Sequence, residues 1–337
     1  MKLNRDSPYF SSRRALLVAA SLAPLAAYAQ FFSERVRRVA VLMGYSPGDP
    51  AAQTRYGALK AGLSAKGWEE GKNLKLDAYW TEGDAQRASD LASQAVARQP
   101  EVIVTNTTPV TAAVHRETRT IPVVFTVVSD PVGSGFVSSL ARPGGNVTGL
   151  VNLESSLAQK WIELLAQVAP KMRRVAVMYN PKTAPYAEYY MKGLNAAAAQ
   201  LGITSFIAAV TSPRDIEEAV LEVSRDRATG IIAMTDSFMF VHRKTLVAAT
   251  ARRKVPAIYY GAEIALEGGL MSYGVDSTEL FRRAASYVDL ILRGAKPAEL
   301  PVEQPSKFEL YVNARTAKAL GLAIPQGILL RADKVIE

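Results

Sequence analysis

The chain contains no cysteine among its 337 residues and only two histidines, His115 and His242. The absence of cysteine excludes disulfide bonds, thiolate metal sites and lipid attachment to cysteine, so stability must come from packed cores. Each histidine stands beside an arginine in a polar stretch, which is typical of a solvated helix surface and unlike a metal site. We therefore expect no bound metal.

The chain also lacks a hydrophobic run long enough to cross a membrane. Its longest apolar run, 15–29, is shorter than the roughly 20 residues that a spanning helix needs, and Pro24 interrupts it. Basic residues precede this run, and Ala27-Tyr28-Ala29 ends it with the small-residue pattern of a cleavage site. We interpret residues 1–29 as a secretory signal peptide and expect the mature chain to begin at Gln30.

Sequence motifs that carry chemistry are scarce. No G-x-S-x-G, P-loop, H-E-x-x-H or G-x-G-x-x-G sequence follows a predicted strand. The net charge of +9 comes from interspersed acidic and basic residues, without the basic stripe typical of nucleic-acid binding. We therefore expect no catalytic residues, no cofactor and no nucleic-acid partner, and we take a monomer as the default state.

What the chain does contain is an internal repeat. Segment 37–41 reads Arg-Arg-Val-Ala-Val, and the same five residues return at 173–177. Later pairs of similar segments follow in the same order, namely 102–105 with 231–235 and 121–125 with 255–259. This repeated order predicts two similar lobes, and the cleft between them is the natural place for a ligand.

The predicted strands are short continuous apolar runs, which is the pattern of parallel strands buried on both faces. Amphipathic helices lie between them. The fold class is therefore α/β, with two doubly wound parallel-sheet lobes. The strands are predicted at 38–44, 74–80, 102–106 and 122–127 in the first lobe, and at 174–179, 203–210, 230–235 and 256–260 in the second.

Three extended passages join the two predicted lobes and form a hinge. Segment 146–152 leads into the second lobe, a strand at 270–275 leads back, and 296–305 forms the last passage. Two rigid bodies joined in this way can open and close. The predicted division of the chain is lobe one at 34–145 plus 274–303 and lobe two at 146–273 plus 304–337.

Polar residues follow a central strand in each predicted lobe. Asn106, Thr107 and Thr108 stand at this position in lobe one, and Asp236 and Ser237 stand there in lobe two. Thr107 and Thr108 either cap the next helix or hold a ligand carboxylate at its N-terminus. Asp236 either caps its helix or pairs with a ligand ammonium group.

Aromatic residues are predicted at or beyond the same strand ends. Tyr45, Tyr186, Tyr260 and Tyr273 lie there, and Asn180 adds an amide group. Tyrosine rings in a cleft bind an apolar or aromatic ligand, although any one of them equally suits the edge of a core. We include all five residues among the ligand-binding candidates.

Five longer segments identify a family by resemblance. They are 128–133 (VSDPVG), 139–149 (SLARPGGNVTG), 294–297 (GAKP), 300–305 (LPVEQP) and 313–322 (NARTAKALGL). With these segments the chain resembles bacterial ABC-transporter substrate-binding proteins of the type 1 periplasmic binding fold, in the family that includes tryptophan- and tyrosine-type uptake proteins. The resemblance implies a three-stranded hinge with a ligand held between two lobes. It adds Ser129 and Asp130 to the ligand-binding candidates.

The resemblance implies a protein of the periplasm that captures a small molecule and delivers it to an ABC permease at the inner membrane. The expected solute is an amino acid, aromatic or branched. Without cysteine the chain is not expected to be a lipoprotein. A bilobed hydrolase-type enzyme and a small-molecule-sensing regulator remain as alternatives. The enzyme would need a nucleophile paired with a base, and the regulator would need a DNA-binding segment.

Overall fold

Two β-sheets, each covered by helices, form the protein in the computed structural model, which describes residues 36–152, 154 and 156–337. The predicted signal peptide and its cleavage site lie outside these residues. Within the described ranges, no helix combines the length and the apolar character needed to cross a bilayer. The two mostly parallel sheets confirm the predicted α/β class with two lobes.

The first sheet has five strands, all parallel, in the order β2-β1-β3-β4-β5. Its central strands are buried on both faces, which explains their continuous apolar sequences. The elements are β1 Arg37–Met43, α1 Pro50–Ser64, β2 Leu74–Trp80, α2 Ala85–Ala97, β3 Val102–Asn106, α3 Thr108–Glu117, β4 Val123–Val128 and β5 Val147–Val151.

The second sheet has seven strands in the order β12-β11-β10-β9-β8-β6-β7, and only β10 and β11 pair antiparallel. The elements up to β10 are α4 Leu157–Val168, β6 Arg174–Tyr179, α5 Ala187–Gln200, β7 Thr204–Ala209, α6 Pro213–Val223, β8 Thr229–Ala233, α7 Ser237–Val241, α8 Arg243–Arg253, β9 Ala257–Tyr259, α9 Ala262–Leu266 and β10 Met271–Gly274. The C-terminal elements are β11 Glu309–Asn313, α11 Ala314–Leu320, α12 Gln326–Leu329 and β12 Lys334–Ile336.

Helix α10, Ser277–Leu292, returns to the first sheet and packs on α1. Trp68 Nε1 donates a hydrogen bond to Asp289 Oδ1 at 2.8 Å, and a side chain at Gly62 would collide with Ala285. A 3-10 turn at Pro297–Glu299 follows. Lobe one is therefore the first sheet with α1 to α3 and α10, lobe two is the rest, and the chain crosses between them three times.

Strand β5 differs from the sequence-based expectation. Residues 146–152 were predicted as a crossover that opens lobe two, but Val147–Val151 pairs in parallel with β4 and completes the first sheet. Gly149 explains the difference, because a Cβ at this position would lie 2.1 Å from the Phe125 carbonyl oxygen. Glycine is uncommon inside strands, so a glycine that is needed for this close approach makes the strand look like a connecting segment in the sequence. The chain leaves the first sheet after Val151, later than the predicted boundary at 145.

Six of the twelve α-helices in the described ranges begin with a side-chain cap. Asp49 accepts hydrogen bonds from the N–H groups of Ala51 and Ala52 at the start of α1. Ser212 and Asp215 form a reciprocal capping box at the start of α6. Helix α3 has no side-chain cap, and its buried start lies at the site described next.

Candidate functional site

A small cavity lies between the lobes, where the carboxyl ends of strands from both sheets face each other. The space between its walls amounts to about 240 Å³, part of which is open to solvent. This edge is where parallel α/β sheets bind ligands. Lobe one contributes Tyr45, Thr107, Thr108, Pro109, Val127 and Asn152 to its lining. Lobe two contributes Tyr186, Thr235, Asp236, Ser237 and Tyr260.

The lobe-one wall contains polar atoms without hydrogen-bond partners. Thr107 precedes α3 with a φ of 77°, and its side chain makes no capping hydrogen bond. Its Oγ1 is buried and has no hydrogen-bond partner among the described residues, and the same holds for Asn106 Nδ2. The other amide atom, Asn106 Oδ1, accepts a hydrogen bond from the Gly44 N–H at 3.2 Å. Buried polar groups are normally paired, so these two atoms have unused capacity to bind a ligand or water.

The neighbouring threonines are engaged within the protein. Thr108 Oγ1 accepts a long hydrogen bond, 3.5 Å, from the Ser129 N–H. Thr111 Oγ1 donates to the Thr107 carbonyl at 2.9 Å and lies 2.8 Å from Thr105 Oγ1. Thr107 is therefore the threonine at this helix start whose hydroxyl is available.

The lobe-two wall is organised around Asp236, which is 2% exposed. Its carboxylate accepts hydrogen bonds from the Phe238 N–H at 2.9 Å, the Asn180 N–H at 2.7 Å and Thr183 Oγ1 at 2.5 Å. Burial raises the pKa of Asp236 to about 6, although the three donors act in the opposite direction. Asp236 thus caps α7 and also borders the cavity.

Three tyrosines complete the cavity. The Tyr186 hydroxyl donates to the Thr235 carbonyl at 2.6 Å, and the Tyr260 hydroxyl donates to the Asp236 carbonyl at 3.0 Å. Burial raises the pKa of Tyr45, Tyr186 and Tyr260, so all three are neutral phenols at physiological pH. Their rings, together with Pro109 and Val127, add apolar surface to a cavity whose other lining residues are polar.

The remaining predicted residues lie behind or beyond the cavity lining. Asn180 supports Asp236 through its N–H, and Asn106 stands behind Thr107. Ser129 Oγ donates to Asn152 Oδ1 at 3.2 Å, while its carbonyl accepts from the Tyr190 hydroxyl of lobe two at 2.9 Å. Asp130 Oδ1 accepts from the Gly133 N–H in a turn. Tyr273 is half-buried against Phe308, with the two ring centres 5.8 Å apart, and does not border the cavity.

Several lining residues were not among the predicted ligand-binding residues. Asn152 follows β5, and Val127 sits at a bulge of β4 with a φ of 56°. Pro109 and Thr235 line the cavity next to the predicted residues Thr108 and Asp236. Only the identification of 147–151 as a strand could have indicated Asn152 in advance.

Two groups of buried ion pairs join the lobes beside the cavity. Arg55 on α1 pairs with Glu263 on α9 at 2.6 Å. Arg243 on α8 pairs with Asp49, the cap of α1, at 2.6 Å, and with Glu267 at 2.8 Å. Both arginine side chains are almost completely buried. Both groups lie where the start of α1 meets lobe two.

The chain is similar to solved structures over most of its length. The crystal structure of a conserved domain protein from Vibrio cholerae has a TM-score of 0.83 and 32% identity, covering 89% of this chain and 100% of that one. An ABC domain in complex with L-Trp from Streptococcus pneumoniae has a TM-score of 0.82 and 27% identity, covering 89% and 99%.

Sequence comparison gives the same relationship. The tyrosine-binding protein of Clostridioides difficile strain R20291 is 26% identical over 270 residues, which cover 80% of this chain and 77% of that protein. The family described as ABC transporter substrate binding protein matches residues 39–336. The match covers almost all of the described residues, and the chain therefore belongs to the ABC transporter substrate-binding protein family.

Proposed function

We propose that this chain is the solute receptor of an ABC importer and that it binds an amino acid, preferentially an aromatic one, between its lobes. The observation that carries the proposal is the cavity itself, in which Tyr45, Tyr186 and Tyr260 lie among polar strand ends. The similarity to a tyrosine-binding protein and to a structure in complex with L-Trp supports an aromatic amino acid.

The charged groups of an amino acid suit opposite walls of the cavity. The N-terminus of α3 carries a partial positive charge, and the Thr107 hydroxyl beside it has no partner, so this wall suits a carboxylate. Asp236 on the facing wall suits an ammonium group. The tyrosine rings then surround the side chain. This orientation uses both lobes, so that the bound solute favours the closed state.

Delivery would follow from closure. A solute that contacts both lobes shifts the equilibrium towards the closed form, and a permease at the inner membrane would recognise that form. This role places the protein in the periplasm as a soluble monomer.

Solute binding is tested directly by calorimetry and thermal unfolding on the chain starting at Gln30. L-Tyrosine, L-tryptophan, L-phenylalanine and L-leucine form the series, and D-ribose serves as the control. At a concentration one hundred times the Kd, a bound solute should stabilise the protein by about 2.7 kcal/mol. Binding of D-ribose without binding of any amino acid would contradict the proposal.

Export is tested by mass spectrometry of the protein from a periplasmic fraction. We expect an N-terminus at Gln30, because Ala27 and Ala29 fit the cleavage requirement. Recovery of uncleaved chain from the cytoplasm alone would argue against the periplasmic role.

The enzyme alternative is tested by incubating the bound amino acid with a stoichiometric amount of protein. We expect the amino acid to be recovered unchanged by chromatography. Conversion above the rate without protein would favour the enzyme.

A further inference from the structure

Arg55 is a buried cation of lobe one that contacts residues of lobe two. Its side chain is 1% exposed. Its Nη2 donates to Glu263 Oε1 at 2.6 Å, and its guanidinium carbon lies 4.4 Å from the centre of the Phe240 ring. Both partners belong to lobe two. Separation of the lobes would therefore expose the guanidinium group to water.

The hydrogen bonds of Arg55 are incomplete. Its Nε and Nη1 are buried and have no partner among the described residues. Arg243 provides a comparison within the same interface, because all three of its nitrogens are bonded: Nη1 to Asp49 and Phe240, Nη2 to Asp49 and Glu267, and Nε to Glu267. The two arginines are equally buried, but only Arg243 recovers the hydrogen bonds that it loses to water.

This difference gives lobe closure a cost at Arg55. Removing a guanidinium group from water is unfavourable, and one carboxylate contact does not satisfy its remaining donors. Closing the lobes without a solute must therefore overcome this cost, while closing them over a solute adds new contacts that offset it.

Tyr45 connects this cation to the cavity. Its ring centre lies 5.2 Å from the Arg55 guanidinium carbon and 4.5 Å from the Phe240 ring, and Tyr45 also lines the cavity. A solute that packs on Tyr45 holds the ring in the position where Arg55 and Phe240 meet it.

We propose that Arg55 is a positioning residue that couples occupation of the cavity to lobe closure through Tyr45. Its incompletely bonded guanidinium group opposes closure of the empty protein, and a solute on Tyr45 offsets this opposition. Glu263 lowers the free energy of the closed form, because its carboxylate accepts the hydrogen bond from Arg55 Nη2. The inference rests on the proposed function, since it takes a solute as the occupant of the cavity.

Two variants and a control separate this role from general stabilisation. Glu263→Gln removes the negative charge and keeps the side-chain volume, so that Arg55 is buried on closure without an ion-pair partner. The double variant Arg55→Met with Glu263→Met removes both charges and keeps apolar volume. The control is Glu70→Gln, since Glu70 pairs with Lys60 of α1 at 2.6 Å on the exposed surface of lobe one.

Closure is measured by fluorescence energy transfer between labels on cysteines introduced at the exposed positions Gln86 and Lys192, one in each lobe. The chain has no cysteine of its own, so labelling is specific. Calorimetry with L-tyrosine and L-tryptophan gives the Kd, and melting temperatures establish that each variant is folded.

For Glu263→Gln we expect the Kd for these amino acids to rise by about tenfold or more, with a smaller closed fraction at equal solute concentration. For the double variant we expect a larger closed fraction than wild type without solute, because the cost at Arg55 is gone. Glu70→Gln should match wild type in both measurements. An equal closed fraction for the empty wild type and the empty double variant would overturn the inference.

The empty-state comparison does not depend on which solute binds. If the wild type binds neither amino acid, the proposed function fails, while the closed fractions of the empty proteins still decide whether Arg55 opposes closure. If Glu263→Gln does not fold, the closed fraction of the double variant without solute still tests whether Arg55 opposes closure.

Discussion

Thr107 and Asp236 occupy corresponding positions in the two lobes, and only Asp236 caps its helix. Thr107 follows β3 and precedes α3 without a side-chain cap, whereas Asp236 follows β8 and accepts from the Phe238 N–H. The internal repeat thus leaves unused donors on one wall of the cavity and a bonded carboxylate on the other. This asymmetry matches a ligand whose two ends carry opposite charges.

The first prediction concerns the Thr107 hydroxyl. Thr107→Val keeps the shape of the side chain and removes a donor that has no partner within the described part of the chain. If this donor binds the solute carboxylate, calorimetry should show a loss of about 1.5–3 kcal/mol in binding, while the free energy of unfolding without solute does not fall. Thr111→Val is the matched control. It should lower the free energy of unfolding by about 1–3 kcal/mol, because Thr105 loses its partner. If Thr107→Val binds the solute with unchanged affinity, the Thr107 hydroxyl does not bind the solute carboxylate.

The second prediction concerns the pH dependence of stability at Asp236. Its pKa is raised from 3.8 to about 6, so the folded state retains a proton that the unfolded state releases between these values. The stabilising contribution is complete below the unfolded pKa and is lost as pH rises through about 6. At about 1.4 kcal/mol per pKa unit, the loss is roughly 3 kcal/mol. Urea unfolding of the solute-free protein from pH 4 to pH 7 should show this decline relative to Asp236→Asn. A constant difference between the two proteins would mean that Asp236 is charged throughout.

The third prediction concerns the tyrosine rings. Tyr45→Ala and Tyr260→Ala each remove a ring that lines the cavity. Calorimetry should show that the affinity for L-tyrosine and L-tryptophan falls more than the affinity for L-leucine, by about 0.5–1.5 kcal/mol. Tyr273→Ala is the control, because Tyr273 packs on Phe308 away from the cavity. Equal losses for aromatic and aliphatic amino acids would show that the rings do not select the side chain.

The fourth prediction concerns the edge of the first sheet. A Cβ at Gly149 would lie 2.1 Å from the Phe125 carbonyl oxygen, and the residue has a φ of 152°. Gly149→Ala should therefore lower the free energy of unfolding by about 1–3 kcal/mol or more, because β4 and β5 must separate. Gly145→Ala meets no atom within 4 Å and should stay within about 0.5 kcal/mol of wild type. Chemical denaturation measures both, and equal stability would show that β5 is held loosely.

The sheets are largely predictable because burial on both faces leaves a local pattern. The runs predicted at 102–106 and 174–179 coincide with β3 and β6. Strand β12 is not predicted, because three residues are too few to establish a pattern.

The sequence predicts the location of the site residues only where the sheet topology determines that location. Parallel strands end at one edge, and this rule brings Thr107 and Asp236 to the same cavity. The partners of a side chain at that edge are not encoded locally, since Asp236 bonds to Asn180 across 56 positions in the sequence. Arg55 and Glu263 are 208 positions apart, and no local pattern indicates that they pair.

Helix α10 also governs the order in which the protein can be completed during synthesis. The last strand of the first sheet ends at Val151, but the helix that covers α1 begins only at Ser277, after ten of the described strands have left the ribosome. The second sheet is likewise incomplete until β11 and β12 have been synthesised, and β12 ends at Ile336. Neither lobe is a contiguous stretch of the chain, so lobe one stays unfinished until α10 has emerged and lobe two until β12 has emerged.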